Sequence, residues 1–234
     1  MKKLFMAVLI TAATIATVNA QPPALGAPPS PRPDARGIRP PHPPRGEQLQ
    51  PVSQFQGRVV KISVNDDYVY DGFYMLTGSD SVLVKFPPHL GSQITSSIKN
   101  GSSVTVNGVM NYSPFGEKEI KMVSINANGQ TIYDAPPAAT PIAVSEKFIN
   151  GSGTISNTQT DREGRINGFI LNDNAILRIP PDVIYQLSVT AKTGATIDYT
   201  GTLKQLQTGE VAAGNYKIVH CNTIKINGQQ YLVR

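Results

Sequence analysis

The strongest structural constraint in this chain of 234 residues is an internal repeat. Phe55-Gln56-Gly57-Arg58-Val59 is matched by Gly151-Ser152-Gly153-Thr154-Ile155, with Gly57 over Gly153. The same offset of 96 lays Asp71-Gly72-Phe73-Tyr74-Met75-Leu76 over Asn167-Gly168-Phe169-Ile170-Leu171-Asn172. Val84-Lys85-Phe86-Pro87-Pro88 lies over Leu177-Arg178-Ile179-Pro180-Pro181 at an offset of 93, which also relates Gly101 to Gly194 and Gly108 to Gly201. Ile125 and Asn128-Gly129-Gln130 match Ile224 and Asn227-Gly228-Gln229 at 99. The offset changes only between patterned segments, where insertions are tolerated. Two similar domains, 51–134 and 146–234 with a connector 135–145, account for this more simply than one large core.

Each copy reads strand, strand, strand, helix, strand, strand. Phe55 to Val64, Tyr68 to Thr77 and Ser81 to Phe86 are β-branched or aromatic runs separated by Asn/Asp and Gly/Ser/Asp turn signals. After Pro87-Pro88 the period changes: Leu90, Ile94 and Ile98 recur every four residues and Asn100-Gly101 supplies a left-handed stop, which predicts a short helix. Val183, Leu187 and Ala191 take the same places in the second copy. Strands follow at Ser102 to Asn111 and Lys118 to Ile125, with Ala195 to Leu203 and Asn215 to Ile226 as counterparts. Minor strands at Gln130 to Ile132 and Gln230 to Leu232 extend each sheet.

This order predicts an all-β chain with one short helix per domain: two tandem OB-folds, five-stranded Greek-key barrels plugged by the helix between strands three and four. Asp71-Gly72-Phe73 and Phe86-Pro87-Pro88-His89-Leu90-Gly91 also resemble the small exported bacterial OB-fold proteins, in which the sheet turns into the helix through such a phrase. The second copy departs from it, reading Ile179-Pro180-Pro181-Asp182-Val183. The resemblance implies fold and export and brings no activity with it.

Residues 1–20 have the form of a cleaved secretory signal: Lys2 and Lys3, an apolar run from Leu4 to about Ile15, then Val18-Asn19-Ala20. The apolar run is short of the roughly 20 residues that span a bilayer. A periplasmic or secreted product without a transmembrane segment is expected. From Gln21 to Pro51 there are eleven prolines, a composition that favours an extended, solvated spacer over 21–50.

The formal net charge of +5 distributes as +2 in 1–20, +2 in 21–50 and only +1 from residue 51 onward. Affinity for a phosphate backbone comes from neutralising several phosphates, so a near-neutral pair of domains makes nucleic acid an unlikely partner. One cysteine excludes a disulfide within the chain and a multi-cysteine metal site.

OB-folds bind ligands on strands two and three, between the first and last hairpin loops. Alternation along the strand puts Phe73 and Met75 inward and sends Tyr70 and Tyr74 outward, with Leu83 and Lys85 beside them. The last hairpin adds Tyr112, Pro114, Phe115 and Lys118. Aromatic planes with one or two cations suit stacking on bases or sugars; the plain alternative is strand residues chosen for cross-strand packing. The second copy has Ile166, Ile170 and Ile176 in these places, an aliphatic patch expected to bury against the other domain or a second chain.

His89 reads as a polar residue at a helix start, matched by Asp182, and His220-Cys221 as neighbours on opposite faces of a strand. Asp66, Asp67 and Asp71 read as a solvated turn, or a weak cation cluster without the calcium-loop spacing. No nucleophile elbow, phosphate loop or dinucleotide fingerprint is present. The expectation is an exported non-enzymatic binding or envelope-associated protein without a cofactor or metal, its ligand a small molecule, glycan or protein. Binding of extracellular or periplasmic single-stranded nucleic acid is the alternative.

Overall fold

The computed structural model describes residues 49–113, 115–137, 146–187 and 190–233. The leader, nearly all of the proline-rich segment, Pro114 and most of the connector 135–145 lie outside them. The first barrel contains β1 (Ser53–Val64), β2 (Tyr70–Thr77), β3 (Asp80–Lys85), a 3-10 turn (Pro88–Leu90), α1 (Gly91–Ser97), β4 (Ser103–Tyr112), β5 (Lys118–Ala127) and β6 (Gln130–Tyr133). The second contains β7 (Lys147–Thr160), β8 (Ile166–Leu171), β9 (Ala175–Arg178), α2 (Pro181–Leu187), β10 (Thr196–Leu203), β11 (Lys217–Ile226) and β12 (Gln229–Leu232).

Hydrogen bonding runs β3-β2-β1-β4-β5-β6 and the parallel pair β3–β5 closes the barrel; in the second copy β9 and β11 close in the same way. With a helix between the third and fourth strands, each half is an OB-fold and the chain a tandem of two. The copies repeat bond for bond. Phe86 N donates to Asp71 O as Ile179 N does to Asn167 O, and Gly101 N donates to Val59 O as Gly194 N does to Ile155 O. Both glycines sit at positive φ (88° and 89°) in a turn after the helix.

The helix is shorter than its sequence pattern. It ends at Ser97, because Ile98 is extended (φ −124°, ψ 150°) and buried in the core. Thr95, Ser96 and Ser97 all bond their hydroxyls back to helix carbonyls, a habit that weakens a helix interior. Asn100-Gly101 therefore shapes the next turn. In the second copy Ile184 and Leu187 are the buried positions of α2, with Val183 only partly covered.

The strand interiors match alternation. Phe73, Met75, Val82, Val84 and Phe86 join Leu90, Ile94 and Ile98 in one core; Phe169, Leu171, Leu177 and Ile179 join Ile184 and Leu187 in the other. Burying each such side chain stabilises its barrel by roughly 1.5–3 kcal/mol. Bulges bend the long first strand of each barrel at the same repeat positions, between Val59 and Lys61 and between Ile155 and Asn157, so that it serves both halves of the barrel.

A second irregularity corrects the expected surface. Ser63 pairs with Gly72 but Val64 pairs with Tyr70, so Asp71 is an extra residue in the ladder. One extra residue inverts the alternation. Tyr70 thus falls in phase with Phe73 rather than with Tyr74 and packs against the first core. Asn167 is the extra residue in the other copy, so Ile166 does not share a face with Ile170.

Candidate functional site

The face on which an OB-fold usually binds its ligand is formed here, in the first barrel, by the outer side of β2–β3 between loops 65–69 and 113–117. Tyr74 and Leu83 are directly paired on it. Lys85 bonds Asp71 at 3.3 Å and Leu83 is 2 % exposed although it belongs to neither core. In the second barrel the same face comprises β8–β9 with β11, between loops 161–165 and 204–216. Ile176 and Ile218 are paired and buried on it, again outside the core, with Arg178 and His220 two residues further along the same side.

What fills these faces is the other barrel. Loop 65–69 and its flanks reach from the first barrel onto the second. Asp66 accepts from Arg178 at 2.9 Å, and Asp67 lies 3.2 Å from His220 Nε2. Tyr68 donates its hydroxyl to Gln159 Oε1 at 2.7 Å and lays its ring 4.5 Å from that of Tyr216. Val69 pairs with Ala212 as a short antiparallel bridge. Tyr70 N donates to Val211 O, Ala213 N to Tyr68 O and Ser92 N to Gly209 O. In return Arg162, from loop 161–165, donates to Asp71 and, at 2.6 Å, to Val64 O. Arg165 lies 5.8 Å from the centre of the Phe115 ring.

The repeat makes this junction reciprocal. Asp66 and Arg162 occupy the same repeat position, as do Lys85 and Arg178, and Asp71 and Asn167. Each barrel extends its first hairpin loop into the other's ligand face, as in an isologous dimer, but with the signs of charge exchanged. By the same equivalence a second barrel paired with its like would bring Arg162 to Arg178, whereas a first paired with its like would bring Asp66 to Lys85 as well as to Asp71. The like charges disfavour pairing of second barrels with one another.

The local electrostatics follow from burial. Desolvation works against the charged form of Asp67, but the His220 hydrogen bond and the charges of His220, Arg178 and Lys204 outweigh it and hold the carboxyl below its ordinary value. Lys204 is braced by Glu210 at 2.9 Å, and the same carboxylate accepts from Gln207 N, which shapes loop 204–216 for docking. Gly209 lies at φ 84° where a Cβ would overlap the carbonyl of His89, so only glycine permits this approach. Tyr68 is left-handed too (φ 55°), a costly conformation for an aromatic residue that its bonds into the second barrel maintain.

The structure thus separates the expected ligand residues. Tyr74 and Lys85 lie on the junction side of β2–β3, and Tyr70 belongs to the core margin. Tyr112 and Phe115 are well exposed at 68 % and 62 %, and Lys118 is paired with Asp80 at 2.7 Å. Of the aliphatic trio, Ile176 is fully buried, Ile170 half-buried and Ile166 exposed. The carboxylates read as a solvated turn are instead the acidic half of the junction. Arg162, Tyr68, Gln159, Tyr216 and Gly209 were not singled out by the sequence; the change of sign between Asp66 and Arg162 was its available signal. His89 bonds the Ala135 carbonyl at 2.9 Å, and Cys221 is buried, which pushes its thiol up to about 12.

No protein-family profile matches the chain, and no curated protein does. Among solved structures it is similar to the second single-stranded DNA-binding protein of Mycobacterium smegmatis, at 18 % identity over 34 % of this chain and 90 % of that one, with a TM-score of 0.30. It is also similar to a tetrameric HIN2 crystal structure, at 10 % identity over 76 % of this chain and 95 % of that one, with a TM-score of 0.26. Among the described residues no helix is long and apolar enough to cross a membrane.

Proposed function

We propose that the chain is an exported, non-catalytic binding or envelope-associated module, delivered by its leader and held by its proline-rich segment as a two-barrel body. The observation that carries this reading is the reciprocal insertion. Both usual ligand faces are spent on joining the barrels, so the pair works as one platform whose contacts with other molecules lie on its remaining surfaces. That OB barrels serve as binding platforms is an argument from fold.

The nucleic-acid alternative gains nothing from the geometry. Lys85, Arg162 and Arg178, three cations at the junction, are each bound to one of its carboxylates. Titration of the mature chain with a fluorescent oligonucleotide at two salt concentrations tests the choice. Binding that weakens steeply with salt establishes the nucleic-acid reading, because phosphate contacts release counterions; the binding-module reading predicts no such response. Cell fractionation tests export, with the chain expected in the periplasm or medium and its recovery from the cytoplasm refuting that part.

A further inference from the structure

The outer side of β1, β4, β5 and β6 faces away from the barrel interior, and its side chains form rows across the strands. Gln56 pairs with Thr105, Thr105 with Asn126 and Asn126 with Thr131. One step along the same face, Gln54 pairs with Asn107, Asn107 with Ser124 and Ser124 with Tyr133. Every member of both rows is an amide, a hydroxyl or an aromatic ring, and none carries a charge. Asn107 donates to Ser124 and Asn126 to Thr131, which fixes the amide planes. Gln54, Gln56 and Thr105 make no side-chain hydrogen bond among the described residues. A shallow depression of about 470 Å³ opens over the first row, lined by Gln56, Gly57, Ser103, Thr105 and Asn126 together with one cation, Arg58. At the far end Tyr133 stands 65 % exposed.

We infer that this face is a binding site for an uncharged glycan, a hexose or N-acetylhexosamine oligomer lying across the strands. Neighbouring strands are about 4.8 Å apart, so a chain over the first row meets one polar side chain per strand, close to one per sugar ring, and four strands span roughly 14 Å; in the second row Ser124 is buried and held by Asn107. The two rows are two residues apart, about 6.7 Å along the strand, which leaves a ring's width between them. Amides and hydroxyls both donate and accept, as ring hydroxyls and acetamido groups require, and an exposed tyrosine offers a flat apolar plane to a sugar ring. A single cation beside two uncharged rows, Arg58, argues against a polyanion, whose affinity needs several.

The second barrel supplies an internal control. Its corresponding rows are Ser152, Asp198, Lys225 and Gln230, and Asn150, Thr200, Thr223 and Leu232. A charge pair replaces Thr105 and Asn126, and Leu232 replaces the tyrosine. The depression over this face, about 480 Å³, is lined by Asp198 and Lys225 together with Ser152, Tyr199 and Gln230, so the uncharged first row is absent there. The inference assigns the glycan to the first barrel alone.

This inference rests on the binding-module reading. Titration calorimetry and NMR of the full mature chain with chitohexaose and maltohexaose test it, with Tyr133→Ala, Gln56→Ala and Lys225→Ala checked for retained folding by circular dichroism. One of the two oligomers is expected to bind, more than tenfold more weakly in the Tyr133 and Gln56 variants and unchanged in Lys225→Ala, with shifts at Thr105 and Asn126. Absence of binding of both oligomers at millimolar concentration overturns the inference, as does binding that Lys225→Ala or Tyr74→Ala weakens while Tyr133→Ala does not. Binding displaced to Tyr74 sinks this site and leaves the binding-module reading standing; steep salt-dependent oligonucleotide binding sinks that reading itself.

Discussion

Replacing Arg162 by Ala removes the second barrel's principal hold on the first. The Asp71 side chain is 9 % exposed and is shared between Lys85, at 3.3 Å, and Arg162. Arg162 also caps the Val64 carbonyl at 2.6 Å. Removing one partner of a fully buried pair costs about 3–5 kcal/mol. Here Lys85 remains and is itself 38 % exposed, so part of that penalty is screened. The loss of a charge-assisted bond to a backbone carbonyl adds to what is left, and about 2–3 kcal/mol is expected in sum. For a folded region of this length each kcal/mol moves Tm by roughly 2–4 °C, so the midpoint should fall by roughly 4–12 °C. Thermal melting monitored by near-ultraviolet circular dichroism reads this directly, through tyrosines on both sides of the junction. Arg162→Lys should recover only part of the loss, because a point charge cannot hold Asp71 and Val64 O in one fixed fork. Lys118→Ala, which breaks an exposed pair with Asp80, should leave the melt unchanged. Equal melts for wild type, Arg162→Ala and Lys118→Ala would refute the junction as described.

Asp67 is held below its ordinary value of 3.8, so its share of stability is complete above that pH and is lost as pH falls through the lower folded value; His220→Ala should bring the carboxyl back up, read by NMR titration of the side-chain carbon, and an unmoved titration would contradict the contact. Gly209→Ala drives a side chain against the His89 carbonyl and should disrupt the docking of loop 204–216 while both cores persist, seen as loss of the Tyr68–Tyr216 ring contact by NMR. With its thiol pushed up to about 12, Cys221 should resist a thiol reagent at pH 8 until the chain is unfolded, and rapid labelling of the native chain would contradict its burial.

The repeat made the barrels legible because each buried position is stated twice: Phe73 with Phe169, Met75 with Leu171, Ile94 with Leu187. A side chain that must fill a core has few alternatives, and two copies expose the constraint. Tyr70 was misplaced because one extra residue, Asp71, inverts the strand's alternation, and a bulge carries no periodic signature. Asp71-Gly72 and Asn167-Gly168 were its trace, since Gly inside a strand often marks such an irregularity. The junction was harder to read. Asp66, Asp67 and Asp71 look like any acidic turn until Arg178, His220 and Arg162, distant in sequence, are seen to face them. Charge pairing between domains follows no period in the chain. Only comparison of the two copies hints at it, through Asp66 against Arg162 and Asp71 against Asn167.

Amide hydrogen exchange at three positions decides whether each barrel occupies the other's ligand face. Tyr70 N, Ser92 N and Ala213 N donate across the junction to Val211 O, Gly209 O and Tyr68 O at 3.0, 2.9 and 2.8 Å. All three belong to loops or element ends that would otherwise open freely. Protection at these amides should approach that of Gly101 and Gly194, whose bonds lie within single barrels. Exchange at the rate of an open loop for Tyr70, Ser92 and Ala213, with Gly101 and Gly194 still protected, would show two independent barrels and contradict the reciprocal insertion.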